Sequence, residues 1–218
     1  MPIKASGQAE TPVYEPFGGG LTWIAHPDEA MGRASHALAT DAGVWLLDPV
    51  DAAGLDDQLA AYGDVAGVAI LVERHERDAV TVANRHEVPV TRPPGIDRSV
   101  EAPTRDVTDG LPGTDYEFLT VQDGPLWQEI ALWDGSTMIV PESFGTNDFS
   151  CVGDERLGLN PVARLLPPRH LRAYDPERLL VGHGAPLFDD VTPSIRTALG
   201  NARRRLPKAW LKMAKAFL

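Results

Sequence analysis

Apolar and polar positions along this chain switch repeatedly between a period of two and a period near 3.6. Residues 21–26 and 33–40 read as two strands, and Asp41-Ala42-Gly43 is a turn into Val44-Trp45-Leu46-Leu47, a buried strand stopping at Asp48. Leu55, Leu59 and Tyr62 recur at helical spacing and predict a helix over 52–62. The apolar run 65–72 predicts a buried strand, 78–86 a helix and 88–91 a further strand. Such alternation implies parallel strands joined by crossover helices. Residues 92–113, rich in Pro, Asp and Thr, read as a loop. Strands return at 118–121, 127–133 and 137–140, with Asp134-Gly135 as the hairpin turn between the last two. A short strand at 179–181 precedes Gly182-His183-Gly184 and a helix over 193–205.

A chain of 218 residues that is 43% hydrophobic can bury a full core in one domain, or at most two. Its longest apolar stretch, 66–72, is far shorter than the roughly 20 residues of a membrane span. The first ten residues lack the apolar segment of a signal peptide, so the expected location is the cytoplasm. Residues 1–190 hold all 31 acids and 13 basic residues, a balance of −18, whereas residues 191–218 hold seven basic residues and no acid. An acidic body repels phosphate backbones, which makes nucleic acid an unfavourable partner outside that tail. The bias toward Asp over Glu and Arg over Lys points to adaptation to high salt. A single cysteine, Cys151, forms no internal disulfide and reads as a small buried hydrophobe. After Pro207, residues 208–218 predict a basic amphipathic helix, with Trp210, Met213 and Phe217 on one face and Lys208, Lys212 and Lys215 on another. That helix either docks on a partner or an anionic surface, or packs on its own acidic body.

Five segments, in order, resemble the metallo-β-lactamase fold superfamily over about residues 17–206. Leu46-Leu47-Asp48 is similar to the family's strand ending in aspartate, and Ile70-Leu71-Val72 to the strand leading into T-H-x-H-x-D-H. Residues 124–134 (GPLWQEIALWD) are similar to G-H-T-x-G-S-x-x-L-x-D, 138–143 (MIVPES) to L-x-x-G-D, and Val181-Gly182-His183-Gly184 to P-G-H-G. The resemblance implies an α/β fold, an αββα sandwich over 17–206. It leaves an N-terminal tail over 1–16 and a helical extension over 207–218.

The family's zinc chemistry needs imidazoles and carboxylates converging at about 2.0–2.2 Å. Keeping the preceding strand aligned puts Arg74 and Glu76 in two histidine places, leaves Asp78 in the aspartate place and puts Ala79 in the last histidine place. A shift of one residue recovers His75 and loses Asp78. Pro125 stands in the next histidine place, Glu142 in that of the bridging aspartate, and His183 is retained. These replacements imply no bound metal; zinc or another divalent ion, if held at all, would rest on Asp78, Glu142 and His183. Arg74, a permanent cation, is expected near the former metal position, paired with Asp78, Glu76 or Glu142. The expected pocket comprises Asp48, Arg74, His75, Glu76, Asp78, Glu142 and His183, with Asp78 and His183 the catalytic candidates.

Plainer roles compete for each residue. His183 can cap a turn, Asp78 can favour the dipole of the following helix, and Asp48 before Pro49 can form an Asx-type turn. Glu142 can pair with an arginine, and His75 or His86 can be exposed. Three functions follow: a non-catalytic binding or regulatory protein for a small molecule or protein, a hydrolase of ester, thioester or phosphoester bonds with an altered mononuclear site, or a scaffold docking through the C-terminal helix.

Overall fold

A computed structural model describes residues 2–7, 9–124 and 127–216. The first sheet has seven strands in chain order: β1 (Val13–Phe17), β2 (Gly20–Ile24), β3 (Ala34–Thr40), β4 (Gly43–Leu47), β5 (Val65–Ala69), β6 (Val90–Arg92) and β7 (Thr104–Asp106). Strands β1 to β4 form an antiparallel meander, and β4 to β7 run parallel. Helix α1 (Leu55–Leu59) connects β4 to β5, and α2 (Ala79–Arg85) connects β5 to β6. The second sheet joins β8 (Glu117–Asp123), β9 (Gln128–Trp133), β10 (Thr137–Val140) and β13 (Arg178–Val181), with β10 and β13 parallel. A small pair, β11 (Phe144–Gly145) and β12 (Gly158–Leu159), a 3₁₀ turn at Arg169–Ala173 and helix α3 (Val191–Ala216) complete the chain.

The period of two in the strands sorts their side chains into layers. Val44 and Leu46 of β4, with Val68 of β5 and Ile70 just after it, face Leu55, Leu59, Val82 and Ala83 of the helices. Trp45, Leu47, Ala69 and Leu71 point the other way, to Leu132, Ile139 and Leu180 of the second sheet. Met138, Val140, Leu179 and Val181 then face Ile195, Ala198, Leu199 and Ala202 of α3. The result is the expected four-layered α/β/β/α sandwich.

Backbone bonds stitch the sheets together along one edge. Ala34 N–H donates to the Gly182 carbonyl (2.9 Å), Gly184 N–H to Gly32 (2.8 Å) and Ile130 N–H to Leu71 (2.9 Å). The parallel strands β4, β5, β10 and β13 all direct their carboxyl ends toward this edge, which is where such folds gather functional side chains.

Several elements differ from the sequence expectation. All of strand β1 but Phe17 lies in the expected tail; Val13 is half exposed and Pro16 lies on an edge strand, so neither alternation nor propensity marks it. Strand β7, Thr-Arg-Asp and wholly exposed, lies inside the expected loop for the same reason. Helix α3 runs through Pro207 rather than breaking there. The missing N–H leaves the Arg203 carbonyl without its helical donor. Contacts on both sides hold the helix: Ala202 and Ala209 are buried, and Trp210 Nε1 donates to the Pro161 carbonyl (3.1 Å). Lys212 reaches Asp148 (2.6 Å), and Phe217 lies outside the described residues. No helix among the described residues is long and apolar enough to cross a membrane.

One buried histidine also joins the sheets. His36 of β3 places Nε2 3.1 Å from the Val181 carbonyl of β13 and Nδ1 2.9 Å from Thr22 Oγ1. A carbonyl only accepts, so Nε2 carries the proton and Thr22 donates to Nδ1. Burial drives this imidazole down to about 4, against the Val181 bond, and the charge of Arg77 adds to the depression. With an unfolded value near 6.5, the unfolded chain takes up a proton that the folded one refuses. Stability is therefore complete above pH ~6.5 and falls, by up to about 3 kcal/mol, as pH drops toward 4. Denaturant titrations at pH 4.5 and 7 should show a smaller pH difference for His36→Gln than for the parent; an equal difference would assign the acid sensitivity elsewhere.

Candidate metal centre

The stitched edge builds its site from four strand ends. Asp48 leaves β4 in the left-handed region (φ 43°) and turns its carboxylate back along the sheet. Its Oδ1 accepts the Leu71 N–H (2.8 Å), and its Oδ2 lies 3.1 Å from His75 Nδ1, so it sets the loop after β5 and one imbedded imidazole together. Glu142 follows β10 and Pro141, and His183 follows β13. A Cβ at Gly182 would meet the Pro141 carbonyl oxygen at 2.0 Å, so only glycine lets these two strand ends approach. Gly184, at φ 97°, turns the chain away immediately after His183.

His75 Nε2 and His183 Nε2 converge on one oxygen, Glu142 Oε2, at 2.8 and 3.1 Å. All three residues are buried, and their ligating atoms lie within 4.8 Å of one another. The other carboxylate oxygen, Oε1, accepts from Arg74 Nη2 (2.6 Å) and from the Asn160 amide. His183 Nδ1 lies 3.0 Å from the Met31 carbonyl, which can only accept, so Nδ1 carries a proton. Its Nε2 then either holds a second proton toward Glu142 or offers a lone pair to a cation shared with it. His75, placed between Asp48 and Glu142, meets the same choice. Burial and the Arg77 charge pull the His75 value down, but hydrogen bonds to Asp48 and Glu142 raise it overall. Burial pushes Glu142 up, yet the two imidazoles hold its carboxyl well below the usual range.

This donor set fits a divalent ion of the zinc or iron type. Two imidazoles whose outer nitrogens are anchored by a carboxylate and a carbonyl, plus one carboxylate oxygen, form a metal-binding set with its supporting hydrogen bonds already in place. Ligands on such an ion stand about 3.3–3.6 Å apart, so admitting one widens the present 2.8 and 3.1 Å separations by less than about 1 Å.

The remaining expected residues are distributed differently. Arg74 pairs with Glu142, one of its three expected partners, with its guanidinium 4.7 Å from the Trp127 ring centroid. Asp78 is not with the cluster: its Oδ2 accepts the Asp51 N–H (2.8 Å) at the start of α2. Glu76 pairs with Arg98, Ala79 opens α2 and packs in the core, and His86 bonds Asp56 at the surface. Pro125 lies outside the described residues. His75, rather than Asp78, is the residue that stands with Glu142 and His183. Half-buried Cys151 has its thiol pushed up to about 11, chiefly by burial, which makes it unreactive. Sequence reasoning missed Arg77, whose guanidinium donates to the carbonyls of Ala34, Asp48 (2.8 Å) and Gly182 (3.1 Å). It also missed Asn160 and the Met31 carbonyl, which join the site through folding alone and carry no local motif.

No family model matches the sequence, and no curated protein matches it. Solved structures match the fold. A DIM-1 metallo-β-lactamase superposes with a TM-score of 0.62 at 11% identity, covering 88% of this chain and 98% of that one. ETHE1 from Myxococcus xanthus gives 0.54 at 14% identity, over 81% and 84% of the two chains. A flavo di-iron protein from Thermotoga maritima gives 0.64 at 12% identity, covering 88% of this chain and 63% of that longer one. The chain has the metallo-β-lactamase fold.

Arg74 takes up Glu142 Oε1 and places positive charge beside the site, so Arg74→Ala should strengthen divalent-cation binding. Its side chain is 42% exposed, and buried Glu142 keeps bonds to Asn160, His75 and His183, so the loss of stability should be modest. Zinc titration calorimetry and thermal melting check this. A variant melting far lower with unchanged zinc affinity would make Arg74 a purely structural partner.

Proposed function

We propose that this protein is a hydrolase of ester, thioester or phosphoester bonds that works with one divalent metal ion held by His75, Glu142 and His183. The convergence of two Nε2 atoms on Glu142 Oε2, with both outer imidazole nitrogens anchored, carries the proposal. When bound, the ion supplies Lewis-acid polarisation of the scissile carbonyl or phosphoryl group. Asp48 orients His75, the Met31 carbonyl orients His183, and the Asn160 amide fixes the rotation of Glu142. Arg74, partly exposed above Trp127, is the group available to an anionic substrate. Among the described residues a single such donor group occurs, which supports one ion rather than two.

A second reading keeps the fold and dispenses with the metal. Arg74 on Glu142, the raised proton affinity of His75 and the buried Arg77 charge supply the counter-charge an ion would bring, which suits a non-catalytic binding protein. Elemental analysis of protein purified without chelator separates the two. The hydrolase reading expects close to one equivalent of zinc, iron or manganese, and chelator-sensitive turnover on a panel of nitrophenyl esters, thioesters and phosphoesters. His183→Ala and His75→Ala should each weaken metal binding at least about 100-fold, beyond the loss usual for a residue that only supports a ligand. Substoichiometric metal in the parent, or parental affinity in both variants, would leave the metal-free reading standing.

A further inference from the structure

Glu129 is wholly buried in β9, within the apolar run Trp127 to Trp133, and it is a charged residue that no metal or substrate role explains. Its Oε1 accepts the backbone N–H groups of Glu142 and Ser143, each at 2.8 Å. Its Oε2 accepts the Ser143 hydroxyl and Trp127 Nε1 (3.2 Å). A carboxylate in an apolar layer costs several kcal/mol unless its lone pairs are satisfied, and four donors satisfy this one.

These bonds close a ring. Glu129 holds the peptide units that carry Glu142, while the indole it holds supports the Arg74 guanidinium, and Arg74 in turn grips Glu142 Oε1. Both the backbone and the free end of Glu142 therefore trace to one buried carboxylate. From this arrangement we infer that Glu129 is a positioning residue: it sets the side-chain direction of Glu142 so that one carboxylate oxygen faces His75 and His183 while the other stays with Arg74 and Asn160. A glutamine cannot replace it, since one of its two terminal atoms is a donor and would face N–H and O–H groups.

The inference rests on the metal reading only for its cobalt readout; a second readout needs no metal. Glu129→Gln is compared with Ser143→Ala, which removes one of the four donors and leaves both backbone bonds. In the parent, the imidazole 1H–15N resonances of metal-free His75 and His183 should carry the signature of bonds to Glu142. Glu129→Gln should shift both sets, and Ser143→Ala should leave them near the parent. With cobalt, Glu129→Gln should bind roughly 10–100-fold more weakly and with an altered visible absorption band, as expected when a group supporting a ligand is lost. If Glu129→Gln fails to fold, Glu129→Asp keeps the charge, shortens the reach and should give the same two changes. A folded Glu129 variant with parental imidazole resonances, and with parental affinity and spectrum where cobalt binds, overturns the inference. If the parent itself takes no cobalt, the hydrolase reading falls and the imidazole resonances alone decide the role of Glu129.

Discussion

The guanidinium of Arg77 lies between the ends of three strands and donates to the carbonyls of Ala34, Asp48 and Gly182. Those carbonyls belong to the start of β3 and the exits of β4 and β13, so one side chain draws both sheets to a common edge. Burial lowers its proton affinity, with the Asp48 charge working the other way, and its backbone sits at φ 46°, a region a long side chain rarely adopts. Both penalties are offset by the bonds it makes to three strand-end carbonyls, which Ser35 Oγ at Asp48 and Ala34 N–H at Gly182 reinforce. The carbonyls it holds are those of Asp48, which orients His75, and of Gly182, which precedes His183. Moving Arg77 would move both imidazoles together.

The layered fold was legible in the sequence wherever a strand was buried on both faces. Val44 to Leu47, Thr137 to Val140 and Leu179 to Val181 are short apolar runs between turn residues; the first two are central strands, and the third, though at the edge of its sheet, is buried between the first sheet and α3. Edge strands β1 and β7 were not legible, because their side chains face water and leave no pattern. At the site, Glu142 and His183 stood out because each follows a strand within a compact motif. His75 was ambiguous because the loop after β5 could be read in two registers. The Asp48 carboxylate on the Leu71 amide and the positive φ of Arg77 shape that loop and bring His75 to the cluster, and neither is visible in linear sequence. Glu129 did leave a trace, as an acid within an apolar strand, and its meaning depended on which backbone it met.

The charge arrangement explains how a site of this kind differs from one with a full set of histidines. Asp48 and Glu142 face Arg74 and two imidazoles, with the Arg77 guanidinium close by, so positive groups already occupy the surroundings an ion would enter. An entering cation displaces protons from the imidazoles and competes with Arg74 for Glu142, so its apparent affinity is set by that competition as well as by geometry.

The stitch between residues 32–34 and 182–184 joins parts of the chain about 150 residues apart. During synthesis the first sheet can assemble once β7 has emerged, yet Arg77 and His36 then still lack the Gly182 and Val181 carbonyls. The inner face of that sheet, with Trp45, Leu47 and Leu71, waits uncovered for β10 and β13. Contacts of such high sequence separation form slowly, and an exposed apolar face in the interval is where aggregation begins. A nascent chain stopped before residue 178 would therefore lack β13, leaving part of that face uncovered and the site without His183, and α3 must still follow to close the second layer.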